Sequence, residues 1–255
     1  MQQSFIGFEM VTPHVALITL ARPPVNALNR EIREELLRTF DAVQDRPSVR
    51  AVVLTGQGKV FCAGADIKEK QGLGASEGDQ TAANRLTRET FFGVLDSRKP
   101  VIAAVNGAAL GAGFVLAACC DMIFAAQDAF FAMPEIDVGL GGGASYLQRI
   151  LPLAKVRRLT LTGERIPASE LYRLGAVEAC LPREELLPAA IAVAEQIASK
   201  SPEAVRRIRG SYLTVESLDL REGFHIEQEY TTELSQSEDA KEARRAFIEK
   251  RKPSF

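Results

Sequence analysis

Three short, largely apolar runs constrain this chain more than any other feature: 49–55, 101–105 and 121–126. Each has the length of a strand and falls short of a helix. Their apolar residues are consecutive and rich in β-branched types instead of alternating with polar ones. That pattern belongs to strands buried on both faces, as in parallel sheets covered by helices. Helix-length segments separate the runs. Asn29 reads as an N-cap for a helix through Ile32, Leu36, Leu37, Phe40 and Val43, stopped by Asp45-Arg46-Pro47. A second helix, from about Thr81 to Asp96, ends before Lys99-Pro100, and Gly111-Ala112-Gly113 opens a third of small residues. Ahead of them the chain alternates like a strand at Val15, Leu17 and Leu20, with His14 placed in that strand and Arg22-Pro23-Pro24 closing it. Strands alternating with helices predict an α/β architecture with much parallel pairing. From Glu184 onward helical segments follow one another at 185–199, 202–217, 220–236 and 238–249. The expected division is a mixed core over 1–195 and a helical region over 196–255.

A chain of 255 residues buries enough apolar surface to fold without a disulfide or metal staple. Its 31 Lys and Arg against 33 Asp and Glu argue against a nucleic-acid binder. Cys62, Cys119, Cys120 and Cys180 form no C-x-x-C pair, so buried thiols in a reducing compartment are expected, with no metal site. The segment MQQSFIGFEM has no secretory-leader pattern, and apolar stretches are interrupted before membrane-span length. A cytoplasmic protein is the expectation, with neither membrane nor nucleic acid as partner.

Chemistry is sought by elimination. Two histidines, His14 and His225, lack companion motifs and supply no triad partner set, and no phosphate-binding loop is present. Two small-residue turns entering helices remain, 61–68 (FCAGADIK) and 106–113 (NGAALGAG). Small side chains admit a ligand to the backbone, and the first amides of a helix lack intrahelical partners. One N–H from each turn suits an oxyanion; close packing of helix on strand explains the same residues equally well. Glu135, ahead of Gly139-Leu140-Gly141-Gly142-Gly143, is either an acid–base group in an apolar pocket or an ordinary solvated or capping carboxylate. The segment 71–80 (QGLGASEGDQ) reads as a surface loop or a lid.

Together the motifs RPPVNAL at 22–28, FCAGADIKE at 61–69, NGAALGAG at 106–113, PEIDVGLGGG at 134–143 and AFIEKRKPSF at 246–255 resemble the crotonase superfamily, the enoyl-CoA hydratase/isomerase family. The resemblance spans nearly the whole chain. It implies a spiral of ββα units, a C-terminal helical region used for trimer formation, and a homotrimer or a hexamer of two trimers. It implies an acyl-CoA thioester as substrate, with CoA part of that substrate and no separate cofactor. On this resemblance the N–H groups of Ala65 and Ala112 form the oxyanion hole, with Gly111 the alternative one register away. Glu135 becomes the acid/base. CoA contacts fall to Pro24, Val25, Ala27, Ala63, Asp66, Ile67 and Lys68, and to Phe247 and Lys250 of the tail, which a neighbouring subunit's ligand would meet. Over 241–252, six cations oppose two anions, a composition suited to a phosphate-rich carrier. Hydratases of the family carry a second glutamate where this chain has Val115. That departure points to a single-glutamate proton shuttle of the isomerase type. The alternatives are hydration, another reaction of a CoA ester such as ring hydration, decarboxylation or thioester hydrolysis, and a non-catalytic CoA-binding subunit. Asp137 is a candidate second acid or an organiser of the Gly-rich turn, and Asp66 a candidate helix cap.

Overall fold

The structure is a computed structural model that describes residues 4–72 and 76–255. In chain order it contains β1 (Ile6–Met10), β2 (Val15–Leu20), α1 (Arg30–Gln44), β3 (Ala51–Gly56), β4 (Val60–Cys62), α2 (Ile67–Gly72) and α3 (Glu77–Leu95). Then come β5 (Val101–Val105), β6 (Ala108–Leu110), α4 (Ala112–Ala118), β7 (Met122–Ala126) and β8 (Phe130–Ala132). A 3-10 turn, Pro134–Val138, precedes α5 (Ala144–Leu147), α6 (Leu153–Thr162), β9 (Ile166–Pro167), α7 (Ala168–Arg173) and β10 (Ala179–Leu181). The chain finishes with α8 (Arg183–Ala198), α9 (Pro202–Val215), α10 (Leu220–Ser235) and α11 (Glu238–Ile248).

The three apolar runs became β3, β5 and β7, adjacent and parallel in a six-stranded sheet of order β1-β2-β3-β5-β7-β10. Every residue of β5 is buried, as a strand covered on both faces requires. The helix α8 packs across β2, β3, β5, β7 and β10. Asn29 caps α1 as expected, its side chain accepting the Ile32 N–H at 3.1 Å. A second sheet, β4-β6-β8-β9, is parallel except for β9. Between the sheets α4 packs on β4 and β6 from one side and β7 from the other, buried from Gly113 to Ala118.

Three expectations needed correction. β1 was not foreseen, and His14 lies just before β2 instead of within it. The third concerns 71–80. Residues 73–75 of that segment lie outside the described residues, but Ser76 caps α3, accepting the Asp79 N–H at 3.1 Å, so 77–80 are the first turn of a helix and not loop. The polar, Gly-containing sequence concealed a serine cap followed by acids that suit a helix N-terminus.

The helices α9 to α11 extend past α8, and buried Arg209 ties them to the core. Its guanidinium pairs with Asp121 at 2.9 Å and donates to the carbonyls of Leu95 (3.0 Å) and Ser97. Those carbonyls end α3, where a cation complements the helix dipole. No helix among the described residues is long and apolar enough to cross a membrane.

Candidate active site

Three strands of the smaller sheet end side by side. Cys62 is in register with Ala109, and Leu110 with Ala132. The chain therefore leaves the sheet at three neighbouring carboxyl ends, into residues 63–66, 111–113 and 133–135. Loops at such ends commonly carry binding sites in α/β proteins.

The first exit runs beside segment 24–28. Ala63 N–H donates to Val25 O (3.0 Å), Leu28 N–H to Gly64 O (2.8 Å), and Asp66 N–H to Leu28 O (3.1 Å). These bonds make a parallel bridge between Leu28 and Ala65. They employ the polar groups flanking Ala65, so its own N–H faces the opposite side of the strand. Gly64 has φ +88, and a Cβ there would lie 2.6 Å from Leu110 O and 3.4 Å from Ala112 N. The first two exits thus touch backbone to backbone, which only a glycine at 64 permits.

At the second exit Gly111 (φ +51) donates its N–H to Ala132 O at 2.8 Å, continuing the ladder. Ala112 is the first residue of α4, where backbone amides have no acceptor within the helix. The third exit is the 3-10 turn 134–138, closed by Gly139 in the left-handed region and by Leu140 N–H on Glu135 O (2.9 Å). It aims the half-buried Glu135 at Gly111. A Cβ on Gly111 would overlap Oε1 and stand 2.7 Å from the carboxyl carbon. One carboxylate and the two small-residue turns are therefore assembled in one place.

Val115, one turn into α4, is buried under the Gly-rich loop. A Cβ on Gly143 would lie 2.5 Å from Val115 Cγ2 and 3.1 Å from Met133 Cε. Val115 N–H donates to Gly111 O at 3.0 Å, so this apolar side chain stands one helical turn from the glycine that Glu135 meets. Asp137 is exposed and faces Gly163 at the end of α6, its Oδ2 3.2 Å from the position of a Cβ there.

Asp66 caps α2, accepting the Lys68 N–H at 3.0 Å, and pairs with Arg22 at 2.8 Å. Burial works to raise its pKa, but the Arg22 hydrogen bond and the Glu69 and Lys68 amides outweigh it and hold the carboxyl below its usual range. Pro24, Val25, Ile67 and Lys68 are exposed around this exit, with Ala27 and Ala63 partly buried between them. Phe247 and Lys250 are not brought to it. They sit exposed at the end of α11, Phe247 at 86%. Part of the basic tail is internally neutralised, with Arg251 on Glu242 and Glu249, each at 2.6 Å, and Lys241 on Glu238 at 2.7 Å.

Burial pushes the Cys62 and Cys119 thiols up to about 12, which leaves them unreactive at neutral pH. His14 bonds Ser48 O at 3.0 Å and His225 stands 3.6 Å from Glu229, both remote from the exits. No group of three or more His, Cys, Asp or Glu suited to a metal occurs among the described residues. Sequence reading overlooked Asn26, which is buried at φ +54. Its amide donates to Val60 O (2.8 Å) and Gln57 O (3.1 Å) and ties 24–28 to the start of β4. An Asn, a residue tolerant of positive φ, two positions after Pro23-Pro24 was the available signal.

The Enoyl-CoA hydratase/isomerase family model matches residues 11–255. The chain is 42% identical over 252 residues to a probable enoyl-CoA hydratase of Rhizobium meliloti, covering 94% of each. It is 37% identical over 246 residues to a crotonyl-CoA hydratase of Syntrophomonas wolfei, again covering 94% of each. Its structure superposes on the crystal structure of enoyl-CoA hydratase from Bacillus anthracis with a TM-score of 0.94, at 35% identity and 99% coverage of both chains.

Proposed function

Since the chain belongs to the enoyl-CoA hydratase/isomerase family of the crotonase superfamily, enzymes of acyl-CoA thioesters, we propose that it moves a proton on an enoyl-CoA with Glu135 as the one acid/base. The observation that carries this reading is the contact of the Glu135 carboxylate with Gly111, one helical turn from the apolar Val115. The thioester carbonyl lies between the exits and accepts the N–H groups of Ala65 and Ala112. Gly111 is the weaker alternative donor, because its N–H is spent on Ala132 O. Glu135 removes a proton from C2 or C4. The electron pair moves toward the carbonyl oxygen, which gains negative charge as a dienolate forms. The same carboxyl returns the proton at the other carbon. Each oxyanion donor contributes about 3–4 kcal/mol to such a step.

A hydration reading has its own support in the names of the two relatives, both hydratases. Hydration here would ask Glu135 alone to place and activate the water, since Val115 carries no proton.

CoA lies along Pro24, Val25, Ala27, Ala63, Asp66, Ile67 and Lys68. Phe247 and Lys250 serve the ligand of a neighbouring copy, which accounts for their distance from this chain's own site. Copies assemble as a homotrimer or a hexamer through 196–255, covering exposed apolar side chains such as Ile208, Tyr212 and Phe224. The spiral core spans 1–195. No cofactor besides the CoA of the substrate takes part. Four free cysteines fit a cytoplasmic setting.

The test is a parallel assay of crotonyl-CoA and a 3-enoyl-CoA, with Glu135→Gln beside the parent. Double-bond migration in the parent, with loss of α-proton exchange but not of acyl-CoA binding in Glu135→Gln, is expected. Hydration without migration would replace the shuttle by the second reading. Undiminished proton exchange in the variant would remove Glu135 from the mechanism.

A further inference from the structure

Two arginines that the proton shuttle does not employ hold the wall behind Ala65. Arg22 donates from Nη1 to Ala27 O (3.0 Å), and its Nη2 pairs with Asp66 at 2.8 Å. Arg33, in the first turn of α1, donates from Nη2 to Leu28 O at 2.6 Å and stands 4.0 Å from Glu69. Consecutive carbonyls, 27 and 28, thus each receive one guanidinium. The second arm of Arg22 reaches Asp66, while for Arg33 the same Nη2 that meets Leu28 O also faces Glu69, both carboxylates lying in the segment that follows Ala65. Glu69 is fixed further by the Arg30 N–H at 2.7 Å. Leu28 O accepts both Arg33 and the Asp66 N–H, so the bridge that orients Ala65 is one of the groups being held.

Energetics argue that this arrangement is not there for stability. Arg33 is 5% exposed and shares the buried stripe of Ile32, Leu36, Phe40 and Val43. Taking a guanidinium out of water is costly, and Glu69, partly exposed and 4.0 Å away, offsets little of that cost. A methionine would fill the position at less expense. What a guanidinium adds is two directed donors on a rigid fork. An oxyanion donor is useful only when its direction is set before the charge develops.

We propose that Arg22 and Arg33 are paired positioning residues, which clamp the Ala27 and Leu28 carbonyls to the start of α2 and thereby fix the direction of the Ala65 N–H. The inference rests on Ala65 being an oxyanion donor.

The experiment compares Arg33→Met and Arg33→Lys with the parent in the full chain. It measures thermal melting, amide hydrogen exchange of a peptide spanning 63–69, and kcat and KM on the enoyl-CoA that the parent turns over. Glu69 keeps the Arg30 N–H and Leu28 O keeps the Asp66 N–H, so Arg33→Met strands neither partner. It is expected to melt close to the parent and to exchange the Asp66 amide at least about tenfold faster. Its kcat should fall about tenfold or more while KM changes less than about threefold, because the lost interaction belongs to the transition state. Arg33→Lys should recover much of both effects. Unchanged exchange and kcat in Arg33→Met would overturn the proposal. So would a kcat loss that follows melting temperature and is not rescued by lysine. Should Arg33→Met not fold, Arg22→Gln takes its place, since Arg22 is more exposed than Arg33 and Asp66 keeps the Lys68 N–H. A parent that turns over no acyl-CoA would count against the oxyanion reading of Ala65, and hydrogen exchange alone would then decide whether the clamp exists.

Discussion

Gly111→Ala separates the geometry of the site from the mere presence of its residues. Two penalties are built into the position. At φ +51 an alanine occupies the left-handed region at a cost of about 1–3 kcal/mol. In addition, the new methyl would stand 2.7 Å from the Glu135 carboxyl carbon, where ordinary contact begins near 3.4 Å. Because the methyl also overlaps Oε1, the carboxylate must retreat by about 1 Å or more, and displacements near 1 Å at reacting groups cost about a hundredfold in rate. The expected variant is folded, with kcat down about a hundredfold. Each kcal/mol moves Tm by about 2–4 °C in a chain this long, so the melt should fall by about 2–12 °C. Absorbance of the conjugated enoyl thioester follows the rate, and calorimetry follows the stability. Gly210→Ala is the control, with no atom near its added methyl and a helical site where alanine is favoured by about 1 kcal/mol. A Gly111→Ala enzyme that keeps kcat within about threefold of the parent, at any Tm, would refute the claim that this contact sets the carboxylate.

Val115→Glu should add hydration of a 2-enoyl-CoA at the expense of stability, because burial at 115 disfavours the charged carboxylate; a folded variant without added hydration would mean that Gly143 and Met133 leave no place for the water. Arg209→Met should lower stability by about 3–5 kcal/mol, seen as a lower Tm, since it strands Asp121 and the carbonyls ending α3. The raised thiols of Cys62 and Cys119 bind protons more tightly folded than unfolded, so their contribution to stability is complete below pH 9 and is lost as pH rises from 9 toward 12. Denaturant titrations between pH 8 and pH 11 should show that decline, and alkylation of the native protein at pH 8 should spare both thiols.

Much of the scaffold could be read in advance, for identifiable reasons. β3, β5 and β7 are buried on both faces, so their sequences are continuous apolar runs that nothing else explains. Asn29 and Pro47 bracket α1 with ordinary cap and stop chemistry. β1 escaped notice because IGFEM carries Gly7 and Glu9 on an edge strand with little burial. β4, β6 and β8 are three residues each, too short for any periodicity, and yet their ends assemble the site. Glu135 by itself read more readily as a solvated or capping carboxylate than as an acid–base group. Only the 3-10 turn and the bare α-carbon of Gly111 place its carboxylate against the second exit. Arg33 left one trace in the sequence, a cation on the apolar stripe of α1, but its partner Leu28 O is a backbone atom that no residue pattern announces.

The backbone packing of Gly64 on Leu110 and Ala112 also bears on how such a site changes over generations. On the proposed reading, the groups that bind the developing charge are peptide N–H bonds, which every amino acid except proline supplies. A codon change at 65 or 112 alters bulk without deleting a donor. The proton-handling side chains have no such protection, and a single codon exchanges a carboxylate for a valine at 115. Charge stabilisation is thereby inherited with the fold, while the fate of the proton is left to one or two side chains free to drift.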